Sequence, residues 1–414
     1  MVKRIISLSL ILFILISLGG CRDTVGPENY SWVTWAGMDS LPAGKVKITL
    51  VVTPPLSPVP TGSAPPEKLM LVSSSSGDTL FEAARKINSH LPKRLFWPYL
   101  QAVIVSEDLA RQGVAKHFDV LHRNIRPRKN AWVFITRGST ESIFKIDPQI
   151  EKSPAKLINS LVTAEHGFLG NSRVIRLKDF LTESEGMGID SVVAVLGVWD
   201  QKNEQVFPPG VNIPSKSELA LDGSAVFRED KLIGWLSQAE SQAYLFAKGE
   251  MKSGLITVPH PDNSQNLVGI EIISSKAKLK AKMVGEQVKA TIKIKVNANL
   301  GDQQLNEPAR RIKAPIEEPE FYRKLGEHLE KQLKSEIDNL IIKTQTEFDS
   351  DIFGIGDYIM NRYPNDWKRI KSNWRSYYQK ADIEVEVKVK IATPNIMRSH
   401  PPDSYKDEQP ETGE

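Results

Sequence analysis

Between residues 277 and 391 the hydrophobic period changes twice, and no other stretch restricts the fold as tightly. Ala277, Leu279, Ala281 and Met283 alternate with lysines, and after Gly285-Glu286 the alternation resumes at Val288, Ala290, Ile292, Ile294 and Val296. Successive side chains of a strand point to opposite faces, so this is a hairpin with one apolar and one solvated face. Between Glu320 and Thr346, Phe321, Leu325, Leu329, Leu333, Ile337 and Ile341 then recur every four residues, which predicts a long amphipathic helix. Tyr363, Trp367, Ile370, Trp374 and Tyr377 recur at intervals of four and three and predict a second helix. Ile383, Val385, Val387, Val389 and Ile391 close the pattern as a strand whose other face is Glu384, Glu386, Lys388 and Lys390. The order is β-β-α-α-β, most simply an antiparallel sheet with helices over one face.

Ahead of this segment strands and helices alternate, and 414 residues exceed what one core usually holds. A period-two run predicts a strand at 45–53, and further strands are predicted at Lys68–Ser73, at the short apolar run Gln101–Val105 and at Ala131–Thr136. Helices are predicted from Asp78, placed as the cap, to about Lys86, from Ser106 to about Leu121 and from Ser139 to Phe144, followed by a helical region over 148–181. Pro54–Pro66 holds six prolines and predicts a loop or extended segment. The apolar run Ile189–Val198, a hairpin turning at Arg228-Glu229-Asp230-Lys231 and a helix from Ser237 to Ala247 suggest a smaller middle domain. The predicted fold class is therefore α+β and multidomain, with three mixed α/β domains at 44–185, 186–258 and 259–398. The last stretch, 399–414, is acidic without an apolar run, and is expected to be disordered.

The chain opens with Met1-Val2-Lys3-Arg4, an uncharged apolar run from Ile5 to Leu18, and then Gly19-Gly20-Cys21. That order predicts a secretory signal over 1–20. As a helix the run would be roughly 21 Å long, short of the roughly 30 Å hydrocarbon core. A cysteine directly after Leu-Gly-Gly marks a lipoprotein signal, with Cys21 taking the S-diacylglycerol and N-acyl groups. Residues 21–43 are then expected to form an irregular tether. Cys21 is the only cysteine, so no intramolecular disulfide is possible and packing must hold the fold.

No strong catalytic arrangement emerges: G-x-S-x-G, H-E-x-x-H and a phosphate loop ending in G-K-[ST] are all missing. His117 and His122 are five apart, the wrong spacing for two metal ligands on one helix face. The expectation is no enzyme, no cofactor and no metal. A net charge of +4, part of it on Lys3 and Arg4, gives no argument for nucleic acid. Arg123, Arg126, Arg128 and Lys129 could touch anionic headgroups, but a solvated turn is the simpler reading. Trp32 and Trp35 could rest at a bilayer interface or pack beneath a first strand. The most unusual stretch is Asp351-Ile352-Phe353-Gly354-Ile355-Gly356-Asp357, whose glycines allow positive φ or a close backbone approach. It predicts a tight connection between two helices. Asp351, Gly354, Gly356 and Trp367 are the candidate partner-binding or structural residues.

Several stretches together carry a family resemblance: Cys21; Leu95-Phe96 through Ser106-Glu107-Asp108-Leu109-Ala110-Arg111-Gln112-Gly113; Gly223-Ser224-Ala225-Val226-Phe227 with Lys231-Leu232-Ile233-Gly234; and Asp351–Gly356 with Tyr363-Pro364-Asn365-Asp366-Trp367 and Trp374. In this order and spacing they resemble the C-subunit lipoproteins of nutrient-germinant receptors in spore-forming bacteria, over nearly the whole mature chain. Departures are Arg22-Asp23 in place of the usual Trp-Asp opening, Tyr99 where a histidine is common, and the proline-rich 54–66 loop. The resemblance implies a lipid-anchored, non-catalytic subunit on the outer face of the spore's inner membrane, working with two integral-membrane receptor subunits. The alternative is a solute-binding lipoprotein of a transport system. Such proteins usually pair two similar α/β lobes, a pattern the β-β-α-α-β segment does not fit.

Overall fold

The computed structural model describes residues 26, 29–53, 70–91, 93–125, 127–146, 151, 153–200, 205–207, 217–304 and 319–392. Cys21 and its signal, the 54–66 loop and the acidic tail lie outside the described residues. The chain divides into two compact units. One comprises Met1–Val162, Val174–Glu185 and Ser191–Gly234; the other comprises Thr163–Arg173, Gly186–Asp190 and Trp235–Glu414. The mixed α+β, multidomain class therefore holds, but the boundaries differ from the expected three domains.

The first unit is built on strands β1 (Tyr30–Ser40), β2 (Val46–Thr53), β3 (Leu71–Gly77), β4 (Arg94–Phe96), β5 (Ala102–Ser106), β6 (Trp132–Thr136), β7 (Ile175–Arg176), β8 (Val192–Asp200), β9 (Gln205–Phe207), β10 (Ser217–Arg228) and β11 (Lys231–Leu236), the last of which continues past this unit. They form one sheet in the order β11-β10-β8-β6-β5-β1-β2-β3, with β4, β7 and β9 pairing at its margins. β1, β5, β6 and β8 run parallel. The helices are α1 (Leu80–Ile87), α2 (Glu107–Gln112), α3 (Ala115–Val120), α4 (Thr140–Phe144), α5 (Pro154–Ala164), which continues past this unit, and α6 (Leu177–Glu185).

Three expectations need correction here. Residues 22–43 hold an inner strand where an irregular tether was expected. β1 is buried from Val33 to Asp39, and a strand covered on both faces loses the alternation that reveals strands in sequence. Its polar residues are satisfied internally: the Thr34 hydroxyl donates to the Val51 carbonyl, and Asp39 accepts from the backbone and hydroxyl of Thr140. Trp35 belongs to this core, stacked near Phe144 with its indole N–H donating to the Pro154 carbonyl at 3.1 Å. The middle domain at 186–258 does not stand alone, because β8 and β10 extend the first sheet. Finally, Thr79, not Asp78, caps α1, and Gly113 at φ +113° splits the helix expected from Ser106 into α2 and α3.

The second unit contains α7 (Gln238–Lys248), β12 (Gly254–His260), β13 (Asn263–Val284), β14 (Gln287–Gln304), α8 (Pro319–Lys343), α9 (Ile355–Arg362), α10 (Pro364–Ile370), α11 (Trp374–Gln379) and β15 (Asp382–Ala392). α7 starts at a capping box, with Ser237 and Glu240 each accepting from the other's backbone N–H. All six residues of the period-four stripe on α8 are buried. The sheet order is β12-β13-β14-β15, with apolar residues alternating onto a buried face. It is mixed, not antiparallel, because β15 runs parallel to β14.

The reason is the number of helical passes. α8, with 25 residues, is about 37 Å long and carries the chain back along the sheet. The expected second long helix is broken instead. Pro364 cannot supply a backbone N–H, and a short 3₁₀ turn follows at Lys371–Asn373. Its pieces do not return along the sheet. The Gln345 amide, just after α8, donates to the carbonyls of Tyr378 and Ala381, so β15 starts where α8 ends. One full pass gives a parallel neighbour; two would have given an antiparallel one. The break also rotates the chain, so Tyr378, not Tyr377, is the buried tyrosine.

Candidate functional site

The turn between α8 and α9 is organised by one buried carboxylate. Asp351 Oδ1 accepts from the backbone N–H groups of Gly354 (2.9 Å) and Ile355 (3.1 Å), and Oδ2 accepts from Gly356 (2.8 Å). The first amides of a helix have no partners within the helix, so Asp351 satisfies those of α9 from inside the same loop. Gly354 permits the geometry at φ +78°, a left-handed conformation. Burial pushes the Asp351 carboxyl up to about 7 against the pull of the three amides, and the Asp190 carboxylate adds to the rise.

A short segment, Gly188–Asp190, is fastened to this turn. The Asp190 N–H donates to the Asp351 carbonyl (2.9 Å), and the Asp357 N–H donates to the Gly188 carbonyl (2.8 Å). The Ser350 hydroxyl donates to Asp190 Oδ2 (2.9 Å). Gly356 sits at the crossing: a Cβ there would lie 2.6 Å from the Trp374 ring and 2.9 Å from the Gly188 Cα. Tyr378 closes the far side, its hydroxyl 2.7 Å from that of Thr344. Burial, reinforced by Asp351, holds the Tyr378 phenol well above its ordinary range.

Of the four candidates, Asp351, Gly354 and Gly356 converge here. Trp367 stands one ring away, packed edge-on against Trp374 at 5.4 Å between centroids. Sequence reading missed Gly188, Asp190, Thr344 and Tyr378. The Gly186-Met187-Gly188 pair was a faint signal of close approach, but its partner lies more than 160 residues away. Chemically the arrangement is a fastener, since both Asp351 oxygens are engaged by backbone amides. Among the described residues no group of His, Cys, Asp and Glu side chains could hold a metal ion. Also among the described residues, no helix is long and apolar enough to cross a membrane. The site carbonyl of Phe353 accepts from Lys248 Nζ (3.2 Å), beside a groove of about 420 Å³ also bordered by Tyr358 and Arg362.

Two family profiles match the chain in tandem: "Spore germination protein N-terminal domain" over residues 23–198 and "Spore germination B3/GerAC like, C-terminal" over 222–395. The chain belongs to the GerAC spore germination family. Among similar GerAC-family proteins is the putative spore germination protein YfkR of Bacillus subtilis, 26% identical over 94% of this chain and 95% of its own. Spore germination proteins KC and B3 of the same organism are each 23% identical, covering 99% and 92% of this chain and 100% and 96% of theirs. The crystal structure of the GerBC protein shares the fold at a TM-score of 0.53 and 17% identity, covering 86% of this chain and 96% of that one. The fastener draws on both GerAC-family segments, Gly188 and Asp190 from the first and Asp351–Asp357 from the second.

Proposed function

We propose that this chain is a lipid-anchored, non-catalytic subunit of a nutrient-germinant receptor. It acts at the outer face of the membrane, the inner membrane of the spore, beside two integral-membrane receptor subunits. The observation that carries the reading is the pair of GerAC-family segments in tandem, with the Leu18-Gly19-Gly20-Cys21 motif directly ahead of the first. Acyl chains on Cys21 confine the body to a thin layer at the membrane. That confinement raises its effective concentration for membrane partners without any further contact. One acyl chain gives marginal, reversible binding, whereas two or more make it persistent.

The test is a Cys21→Ala substitution at the native locus. The domains should fold, appear in the soluble fraction and support weakened nutrient germination. An alanine variant that stays on the membrane and germinates fully would overturn the role of the anchor. Deleting the gene should abolish the response to particular nutrients while other triggers still work. A normal response of the deletion strain to every nutrient tried would overturn the receptor assignment.

A further inference from the structure

One stretch of the solvated face of the second unit's sheet is rich in lysine. Lys276, Lys278, Lys280 and Lys282 alternate along β13, all exposed, while on the opposite face Ala281 is buried and Ala277, Leu279 and Met283 are half-buried. The register then sets like charge against like charge: Lys276 faces Lys295, Lys278 faces Lys293, Lys282 faces Lys289, and Lys295 faces Lys388 on its other side. Like charges directly opposite each other destabilise a sheet, and lysine is itself a poor strand former. Packing does not require this choice, because any polar residue would serve on a solvated face.

Carboxylates answer only one margin of the array. Lys289 pairs with Asp382 (3.3 Å) and Lys293 with Glu386 (2.7 Å), both on β15, and Lys388 reaches Glu330 of α8 (3.3 Å). Lys276, Lys278, Lys280, Lys282 and Lys295 have no ion pair among the described residues. From Lys276 to Lys282 is about 20 Å along the strand, and three strands span about 10 Å across. Neighbouring ammonium groups therefore lie within about one Debye length and act together.

We propose that this lysine face lies against anionic lipid headgroups, making a membrane contact separate from Cys21. The composition of the face selects the partner. Protein interfaces anchor on tryptophan, tyrosine and arginine seated in pockets, and the exposed positions of β13 from Lys276 to Lys282 and of β14 from Lys289 to Lys295 offer none of these. Lysine's compact charge on a flexible stem suits phosphates that present no fixed geometry, where arginine would suit a rigid, bidentate one. A flat array of point charges matches a charged surface.

The full chain, reconstituted on vesicles of phosphatidylcholine alone or mixed with phosphatidylglycerol, is first floated to establish residence. It is then labelled with an amine-reactive reagent and read by mass spectrometry. An exposed lysine near an anionic surface contributes about fivefold in partitioning, so labelling of Lys276–Lys282 should slow about fivefold or more on the anionic vesicles only. High salt should restore it, and Lys231, outside the array, serves as the reference. Substituting Lys276, Lys278, Lys280 and Lys282 together with Gln should abolish protection of Lys295, with a Tm equal to or above that of the parent. Flotation on neutral vesicles reports the acyl anchor independently of the array. Equal labelling on both vesicle types overturns the proposal. Protection in native membranes but not on anionic vesicles also overturns it, in favour of an acidic protein partner.

Discussion

Asp351 is the residue whose chemistry is most open to measurement. Its carboxyl titrates near 7 in the folded chain against 3.8 for an unperturbed aspartate, so between these values the folded state holds more proton than the unfolded one. Stability from this group is therefore full below about pH 4 and falls as pH rises towards 7. In Asp351→Asn the side chain no longer titrates, and its amide N–H₂ cannot accept from a backbone N–H, which either oxygen of the protonated carboxyl can. The variant should be less stable by about 1–3 kcal/mol at acidic pH, with the gap narrowing towards pH 7. Thermal unfolding of both proteins across that range checks it, and a gap independent of pH would refute the assignment. Gly356→Ala tests the crossing by volume alone. Its methyl has no room between Trp374 and Gly188, and a cost of about 1–3 kcal/mol is expected, read as a lower urea midpoint. The two glycines and the aspartate were visible in sequence as an oddity of spacing. Asp190 and Tyr378 were not, because nothing local distinguishes a polar residue that meets its partner across the fold.

At the scale of elements, α8 shows what a long period can carry. Leu333 is fully buried in the middle of its stripe, so Leu333→Ala should destabilise by about 2–5 kcal/mol. Ile342→Ala, near the end of the same helix at 56% exposure, should change stability by less than about 0.5 kcal/mol. Chemical denaturation of the two variants side by side makes the comparison, and equal effects would mean that the stripe is not what holds α8. The same helix explains where sequence reading failed on topology. Periodicity identified β13, β14, α8 and β15 because each buries one face, and one-sided burial writes itself into spacing. It could not show that the next helix breaks at Pro364 and after Ile370, and that break decides the direction of β15. β1 failed for the opposite reason, since burial on both faces leaves no alternation to see.

For the whole molecule, the partition into units is discontinuous in sequence. Gly186–Asp190 and Thr163–Arg173 belong to the second unit although stretches of the first lie on either side. A fragment starting at Trp235 would keep α7 to β15 but lose the Gly188 and Asp190 hydrogen bonds. It would also lose the Arg173 partner of Glu250, 3.0 Å away. Such a fragment should show faster amide exchange at 354–357 than the full chain while exchange within α8 stays slow. Equal protection at the turn would show that Asp351 holds it unaided.

The sequence by itself determined the family, the α+β class, the amphipathic elements of the last third and the position of the α8–α9 turn. These are encoded by residue order and by spacing over one or two turns. Only the tertiary structure decided that β1 is an inner strand, that β8 and β10 join the first sheet, that β15 runs parallel to β14, and what fastens Asp351. Each of these depends on which distant segment supplies the opposing face or the missing hydrogen bond, and local spacing holds no record of that.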